Sequence, residues 1–189
     1  MPEWSSGDNR IVEDRAVSLD DLGVRICILG PSNSGKSTLA TSIGRARALP
    51  VVHLDQYRHL PNTQWEIRPD DDFAALHDAT IDSERWVIEG NYSTLLPRRL
   101  ERATGFILLD ATPATSLTRY LRRTWSHRSR IGGLDGAEER VTWEMVRYIL
   151  GAGRTNGRRY RNIFDDVGLP KVFLANRSAI ESFNRQENL

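Results

Sequence analysis

One nine-residue stretch, GPSNSGKST at positions 30–38, constrains the fold more than any other part of the chain. It matches the pattern G-x-x-x-x-G-K-[ST], in which a glycine-rich loop turns backbone N–H groups toward phosphate oxygens. The apolar, β-branched run VRICILG precedes it. The segment after it places Leu39 and Ile43 four residues apart, as on one face of a helix. A strand, a phosphate-binding loop and a helix are therefore predicted in that order.

The lysine in this loop is unusual for the chain, because Lys36 and Lys171 are its only lysines and every other basic residue is arginine. A compact ammonium fits between phosphates, where a planar guanidinium is bulkier and favours paired contacts. We predict that Lys36 reaches the β- and γ-phosphates of ATP and that the Ser37 hydroxyl binds Mg²⁺. The predicted nucleotide-binding loop consists of Gly30, Pro31, Ser32, Asn33, Ser34, Gly35, Lys36, Ser37 and Thr38.

Buried-looking strands alternate with helical patterns along the rest of the chain. The four later strand candidates are VVHLD, WVIEG, GFILLD and KVFLA, which end at Asp55, Gly90, Asp110 and Ala175. This alternation is typical of a parallel sheet with helices on both faces. Residues 1–23 are polar and acidic and are predicted to be an N-terminal extension to a single domain at 24–189.

Composition narrows the function classes. A net charge of +1 argues against a protein that binds nucleic acid through bulk electrostatics. The single cysteine, Cys27, excludes a disulfide framework and suits a reducing compartment. No apolar run approaches the roughly 20 residues of a membrane helix, and the N-terminus lacks a signal-peptide pattern. The sequence therefore predicts a cytoplasmic protein with no membrane partner.

Three carboxylates lie at or next to the ends of predicted strands, where ligands bind in parallel sheets. Asp55 is predicted to orient an acceptor hydroxyl, to act as its base or to hold Mg²⁺ through water, or else to cap a turn. Glu89 is costly to bury unpaired, so we expect contact with Mg²⁺, a Mg²⁺-bound water or an arginine; a structural salt bridge is the alternative. Asp110 is predicted to be structural.

Several stretches together resemble a known group of proteins. They are ILGPSNSGKSTLA, HLDQYRHLPNTQW, RWVIEGNYS, FILLDATPATSLTRYLRRT and the arginine-rich segment that follows. The chain resembles the adenylate-kinase-like P-loop kinases, and within them most of all the DNA topology modulation proteins, over most of 24–164. The resemblance implies a three-layer α/β P-loop NTPase fold with a five-stranded parallel sheet. It also implies a small acceptor-binding lobe at about 56–85 and an arginine-rich lid at about 122–140.

The resemblance also suggests roles for further residues. Arg119 and Arg123 lie four apart on one predicted helix face and would contact phosphate from the lid; a solvated helix face is the alternative. Asn176 falls where related kinases surround the adenine. Trp65 would stack on an acceptor ring or form the small core of the lobe. The predicted acceptor-binding residues are Asp55, Tyr57, Trp65, Arg68, Gly90 and Asn91, and the predicted metal ligands are Ser37 and Glu89.

Differences from the motifs of related kinases mean that the sequence does not identify the phosphoryl acceptor. Adenylate kinases carry G-x-P-G-x-G-K and D-G-F-P-R where this chain has GPSNSGK and EGNYS. Shikimate-kinase-like enzymes carry D-x-D where this chain has Asp55 and Tyr57. The sequence predicts an ATP- and Mg²⁺-dependent kinase of a nucleoside, a nucleoside monophosphate or another hydroxylated metabolite. The alternatives are a nucleotide-binding regulator without substantial turnover and a nucleic-acid-associated protein affecting DNA topology.

Overall fold

The computed structural model describes residues 17–125 and 157–189, with backbone alone for 113, 114 and 122–125. Five parallel strands form one sheet in the order β2-β3-β1-β4-β5. The strands are β1 Arg25–Leu29, β2 Val51–His53, β3 Trp86–Glu89, β4 Gly105–Leu109 and β5 Lys171–Leu174. The predicted α/β fold with a five-stranded parallel sheet is confirmed.

Helices connect the strands and cover both faces of the sheet, as parallel pairing requires. They are α1 Lys36–Arg47, α2 Leu54–Arg58, α3 Asp70–Ile81, α4 Leu96–Arg102, α5 Pro113–Trp125, α6 at 157–166 and α7 Arg177–Gln186. The short helix α2 was not predicted: β2 ends at His53, so Asp55 lies in the first turn of a helix rather than at the end of a strand.

The central strands are apolar on both faces, which explains their near-continuous hydrophobic sequence. In β1, Ile26 and Ile28 face one apolar cluster together with Leu39 and Ile43 of α1. The alternate residue Cys27 faces the second cluster, which includes Phe73 of α3 and Leu96 of α4. The helices on each face therefore bury their apolar residues against opposite sides of the same strands.

The described end of the predicted N-terminal extension packs into the first of these clusters. Leu19 and Leu22 are 1% and 0% exposed. The Leu22 carbonyl accepts a hydrogen bond of 2.9 Å from the Thr104 hydroxyl, and a Cβ at Gly105 would lie 2.5 Å from the same carbonyl oxygen. Residues just before β1 therefore close one edge of the core against the start of β4.

Part of the predicted lid, at 126–140, lies outside the described residues. No helix in the described ranges has the length and apolar character needed to cross a membrane.

We predict that Leu22→Ala lowers the free energy of unfolding by about 2–5 kcal/mol, because it removes a fully buried side chain and leaves a cavity. Urea denaturation followed by circular dichroism measures this change. The matched control is Leu76→Ala on α3, where the side chain is 38% exposed and the expected loss is below about 1 kcal/mol. Equal losses in the two variants would show that the segment before β1 is not part of the core.

Candidate active site

The glycine-rich loop begins at the carboxyl end of β1 and is tightly packed there. Gly30 has φ +151°, and a Cβ at this position would lie 2.6 Å from the carbonyl oxygen of Leu109. Its N–H donates a hydrogen bond of 3.2 Å to Oδ1 of Asn91, which follows β3. Only glycine fits this conformation and this approach of backbone to backbone, so the first glycine of the motif fixes the path of the loop.

The second half of the loop delivers the chain into α1. Asn33 and Gly35 both have positive φ, 61° and 105°, and Gly35 is the N-cap of the helix. Glycine has no side chain with which to cap the first N–H groups of α1, so these groups and the helix dipole can interact with an anion. The Ser34 hydroxyl is buried without a hydrogen-bond partner in the described parts of the chain. These features fit a phosphate group.

Two cations lie against carbonyl oxygens of this loop. Lys36 Nζ donates to the Pro31 carbonyl at 2.8 Å. Arg119 Nη1 donates to the Ser34 carbonyl at 2.6 Å and to the Asn33 carbonyl at 3.3 Å. The structure therefore brings Arg119 of α5 to the loop, and its contact with phosphate stays a prediction. The side chain of Arg123 lies outside the described residues.

A buried carboxylate joins the start of α1 to the sheet. Glu89 ends β3 and is 4% exposed. Its Oε1 accepts hydrogen bonds from Ser37 Oγ at 2.8 Å and from His53 Nδ1 at 2.9 Å. Burial alone raises the pKa of Glu89. The His53 bond, the Lys36 charge and the Ser37 bond outweigh burial and hold the pKa below its ordinary value. Glu89 is therefore a carboxylate, and the proton between it and His53 lies on the imidazole.

Ser37 and Glu89 fit a Mg²⁺ site by their chemistry. Both offer oxygen ligands, and they lie side by side where the loop opens into α1. Mg²⁺ is commonly held by one or two protein oxygens together with substrate phosphates and waters. The described residues contain no group of three or more acidic, histidine or cysteine side chains arranged to hold a metal.

A second carboxylate lies at the same edge of the sheet, beyond β2. Asp55 Oδ1 accepts a hydrogen bond of 2.7 Å from the Tyr92 hydroxyl. The Tyr92 ring packs edge-on against Phe73, with ring centroids 4.9 Å apart. Burial, followed by the Asp55 carboxylate, raises the pKa of Tyr92 above its ordinary value of 10.0. Tyr92 therefore remains a neutral hydrogen-bond donor at physiological pH.

The turn after β3 is supported by a buried arginine that sequence reasoning missed. Arg99 of α4 is 0% exposed, and it donates to the Gly90 carbonyl at 2.7 Å and the Asn91 carbonyl at 3.2 Å. Burial lowers the pKa of Arg99, and the opposite charge of Glu89 is among the influences that partly restore it. No signal separates Arg99 from Arg98 and Arg102 in the sequence of α4. The role of His53 was also missed, although one feature of the sequence indicated it: His53 is a polar residue that directly follows two valines of an apolar strand.

The predicted acceptor lobe contains a small hairpin whose side chains contact one another. The bridge between His59 and Ile67 closes it, and Trp65 packs edge-on against His59 with centroids 5.1 Å apart. Arg68 Nε donates to the Tyr57 carbonyl at 2.8 Å. These contacts build the lobe. The Tyr57 hydroxyl accepts from Thr80 at 3.2 Å.

Two further predicted residues accept local hydrogen bonds from backbone N–H groups. Asn176 is the N-cap of α7, and its Oδ1 accepts a hydrogen bond of 2.9 Å from the Ala179 N–H. Asp110 accepts one of 2.8 Å from the Ala111 N–H after β4. The first turn of α5 is capped by Thr112, whose Oγ1 accepts from the Thr115 N–H at 3.2 Å, so a structural role for Asp110 stays a prediction. Any contact of Asn176 with a base would come from its remaining groups.

Comparisons with known proteins identify the fold. No protein-family model and no curated protein matches the sequence. A gluconokinase from Sinorhizobium meliloti 1021 is similar in structure, with a TM-score of 0.51, 17% identity, and coverage of 88% of this chain and 95% of that chain. A shikimate kinase from Bacteroides thetaiotaomicron has a TM-score of 0.52, 19% identity, and coverage of 86% and 95%. The chain therefore has a P-loop kinase fold.

We predict that stability falls more steeply with alkaline pH in the wild type than in Tyr92→Phe. Because the pKa of Tyr92 is raised by folding, its contribution to the free energy of unfolding is fully present below about pH 10. Above that pH the unfolded chain loses this proton while the folded chain keeps it, so unfolding is favoured. The slopes of the unfolding free energy against pH should come to differ by about 1.4 kcal/mol per pH unit, the value expected for one proton. Urea unfolding at pH 9, 10 and 11 measures both slopes, and identical slopes would contradict the burial of Tyr92 beside Asp55.

Proposed function

We propose that this protein is an ATP-dependent kinase that transfers the γ-phosphoryl group to the hydroxyl of a small acceptor. The single observation that carries the proposal is the arrangement at one edge of the sheet. The loop with Lys36 and the Ser37–Glu89 pair lies at the ends of β1 and β3, and the Asp55–Tyr92 pair lies beyond the end of β2. Ligands of parallel α/β sheets bind at this edge. The sequence resemblance to the adenylate-kinase-like P-loop kinases supports the same assignment, and among these the chain most resembles the DNA topology modulation proteins.

The glycine-rich loop and the residues around it suggest how the nucleotide would bind. Backbone N–H groups at 33–37 and the start of α1 would bind the β-phosphate, and Lys36 would leave the Pro31 carbonyl to reach the β- and γ-phosphates. Arg119 would stabilise charge on the transferred group, because guanidinium N–H donors pair with phosphate oxygens. Mg²⁺, held by Ser37 and Glu89, would neutralise phosphate charge. Asn176, after β5, would lie near the adenine.

Asp55 is the group that would accept the proton of the acceptor hydroxyl. The acceptor oxygen would attack the γ-phosphorus as the bond from that phosphorus to the ADP oxygen breaks, and the acceptor proton would pass to Asp55. Gly90, which is followed by Asn91, lies beside α2, since a Cβ at Gly90 would be 2.9 Å from Cβ of Leu54. Tyr57, Trp65 and Arg68 form the neighbouring lobe. The acceptor class remains a nucleoside, a nucleoside monophosphate or another hydroxylated metabolite.

The test is an ADP-release assay with Mg²⁺-ATP and a panel of nucleosides, nucleoside monophosphates and sugar acids. We expect at least one acceptor to raise ADP release above the rate without acceptor. We expect Lys36→Ala to lower that rate by about a hundredfold or more, because it removes a positive charge that acts on the transferred phosphoryl group.

The other lysine provides a matched control. Lys171 Nζ donates to the carbonyls of Phe164, Asp165 and Val167 at 2.6, 2.9 and 2.8 Å, at the end of α6. Lys171→Ala should lower stability but leave turnover of the folded protein near the wild-type rate. Turnover that is equal in Lys36→Ala and the wild type would contradict the phosphate site. Tight ATP binding without acceptor-stimulated turnover would favour a nucleotide-binding regulator.

A further inference from the structure

One turn contacts both halves of the proposed active site. The turn consists of Gly90, Asn91 and Tyr92, directly after β3. Asn91 accepts the hydrogen bond from the Gly30 N–H of the phosphate loop, and Tyr92 donates to Asp55 on the acceptor side. We propose that Tyr92 is a positioning residue that holds Asp55 for the acceptor, on a turn that also fixes the phosphate loop. This inference rests on the proposed kinase function.

The backbone of the turn is strained, and strain of this kind clusters at functional sites. Tyr92 has φ +30°, a conformation that is costly for a bulky side chain. Gly90, at φ +128°, lies so close to α2 that a Cβ there would be 2.9 Å from Cβ of Leu54. A connection between β3 and α4 does not require a tyrosine in this conformation, and from it the Tyr92 hydroxyl donates to Asp55 at 2.7 Å.

Arg99 keeps the strained turn in place. Its guanidinium binds two consecutive carbonyls of the turn, those of Gly90 and Asn91, from a fully buried position. A planar fork with two parallel donors fixes the orientation of both peptide groups, which a single ammonium would not do. The path of the chain into Tyr92 is therefore set from the core rather than by solvent-exposed contacts.

The ring of Tyr92 limits the direction of its hydroxyl. Phe73 packs against this ring from α3, so the ring has one packed orientation. Asp55 is held as well, because the His59 N–H and the His59 ring both contact its backbone carbonyl, at 3.2 and 2.9 Å. The 2.7 Å hydrogen bond thus joins two groups with fixed backbones, and it restricts rotation of the Asp55 carboxylate toward an incoming hydroxyl.

The test uses four proteins: the wild type, Tyr92→Phe, Asp55→Asn and the double variant. The rate measured is single-turnover hydrolysis of radiolabelled Mg²⁺-ATP, with water as the hydroxyl acceptor, and calorimetry measures ADP affinity. Tyr92→Phe keeps the ring against Phe73 and removes only the hydroxyl. We expect it to slow hydrolysis about ten- to a hundredfold, as expected for a misplaced reacting group, with ADP affinity changed less than about twofold.

The decisive comparison is the effect of Tyr92→Phe when Asp55 is already altered. If Tyr92 acts through Asp55, the double variant should hydrolyse ATP within about twofold of Asp55→Asn, because the two losses are not independent. Lys171→Ala is the control, since it removes a side chain that binds backbone carbonyls at the end of α6. Its effect should be the same with and without Asp55→Asn.

Two results would overturn the proposal. Rate losses of Tyr92→Phe and Asp55→Asn that multiply in the double variant would show that Tyr92 does not act through Asp55. A loss of ADP affinity as large as the loss of rate would show that the turn serves the nucleotide alone. A wild-type protein that turns over no ATP, with water or with any acceptor of the panel, would instead remove the kinase function on which the inference rests.

Discussion

The site depends on one buried carboxylate, that of Glu89. An acidic side chain that is 4% exposed at the end of an inner strand must be paired, since an isolated buried charge is costly. Here one carboxylate oxygen accepts hydrogen bonds from both Ser37 and His53, and Lys36 contributes a nearby positive charge. The paired residues come from β3, β2 and α1. The charge of Glu89 therefore fixes the first turn of the phosphate-binding helix relative to two strands.

The neighbouring turn extends this arrangement to the acceptor side. Glu89 is followed by Gly90, Asn91 and Tyr92, and these residues contact Arg99, Gly30 and Asp55 in succession. The buried Arg99 binds the turn that follows the buried Glu89, and the charge of Glu89 offsets part of the cost of burying Arg99. The phosphate loop and the acceptor-side carboxylate are connected through backbone that the core holds in place.

Much of the fold could be predicted because its signals are local. The motif at 30–38 and the apolar runs of β1, β3 and β4 depend only on neighbouring residues, and strands buried on both faces read as continuous hydrophobic sequence. The acid after WVI was expected to need a partner, and the structure supplies Ser37 and His53. Sequence-based prediction failed where tertiary contacts determine the position or the role of a residue. Asp55 begins a helix turn, and only packing against the turn after β3 distinguishes Arg99 from the other arginines of α4.

The phosphate site can be tested by the structure of a complex with Mg²⁺ and a non-hydrolysable ATP analogue. We predict that the β-phosphate lies against the backbone N–H groups at 33–37, with Lys36 Nζ moved from the Pro31 carbonyl to the phosphates and Ser37 Oγ on the metal. Phosphates bound elsewhere, with Lys36 still on the Pro31 carbonyl and Ser37 still on Glu89, would contradict it.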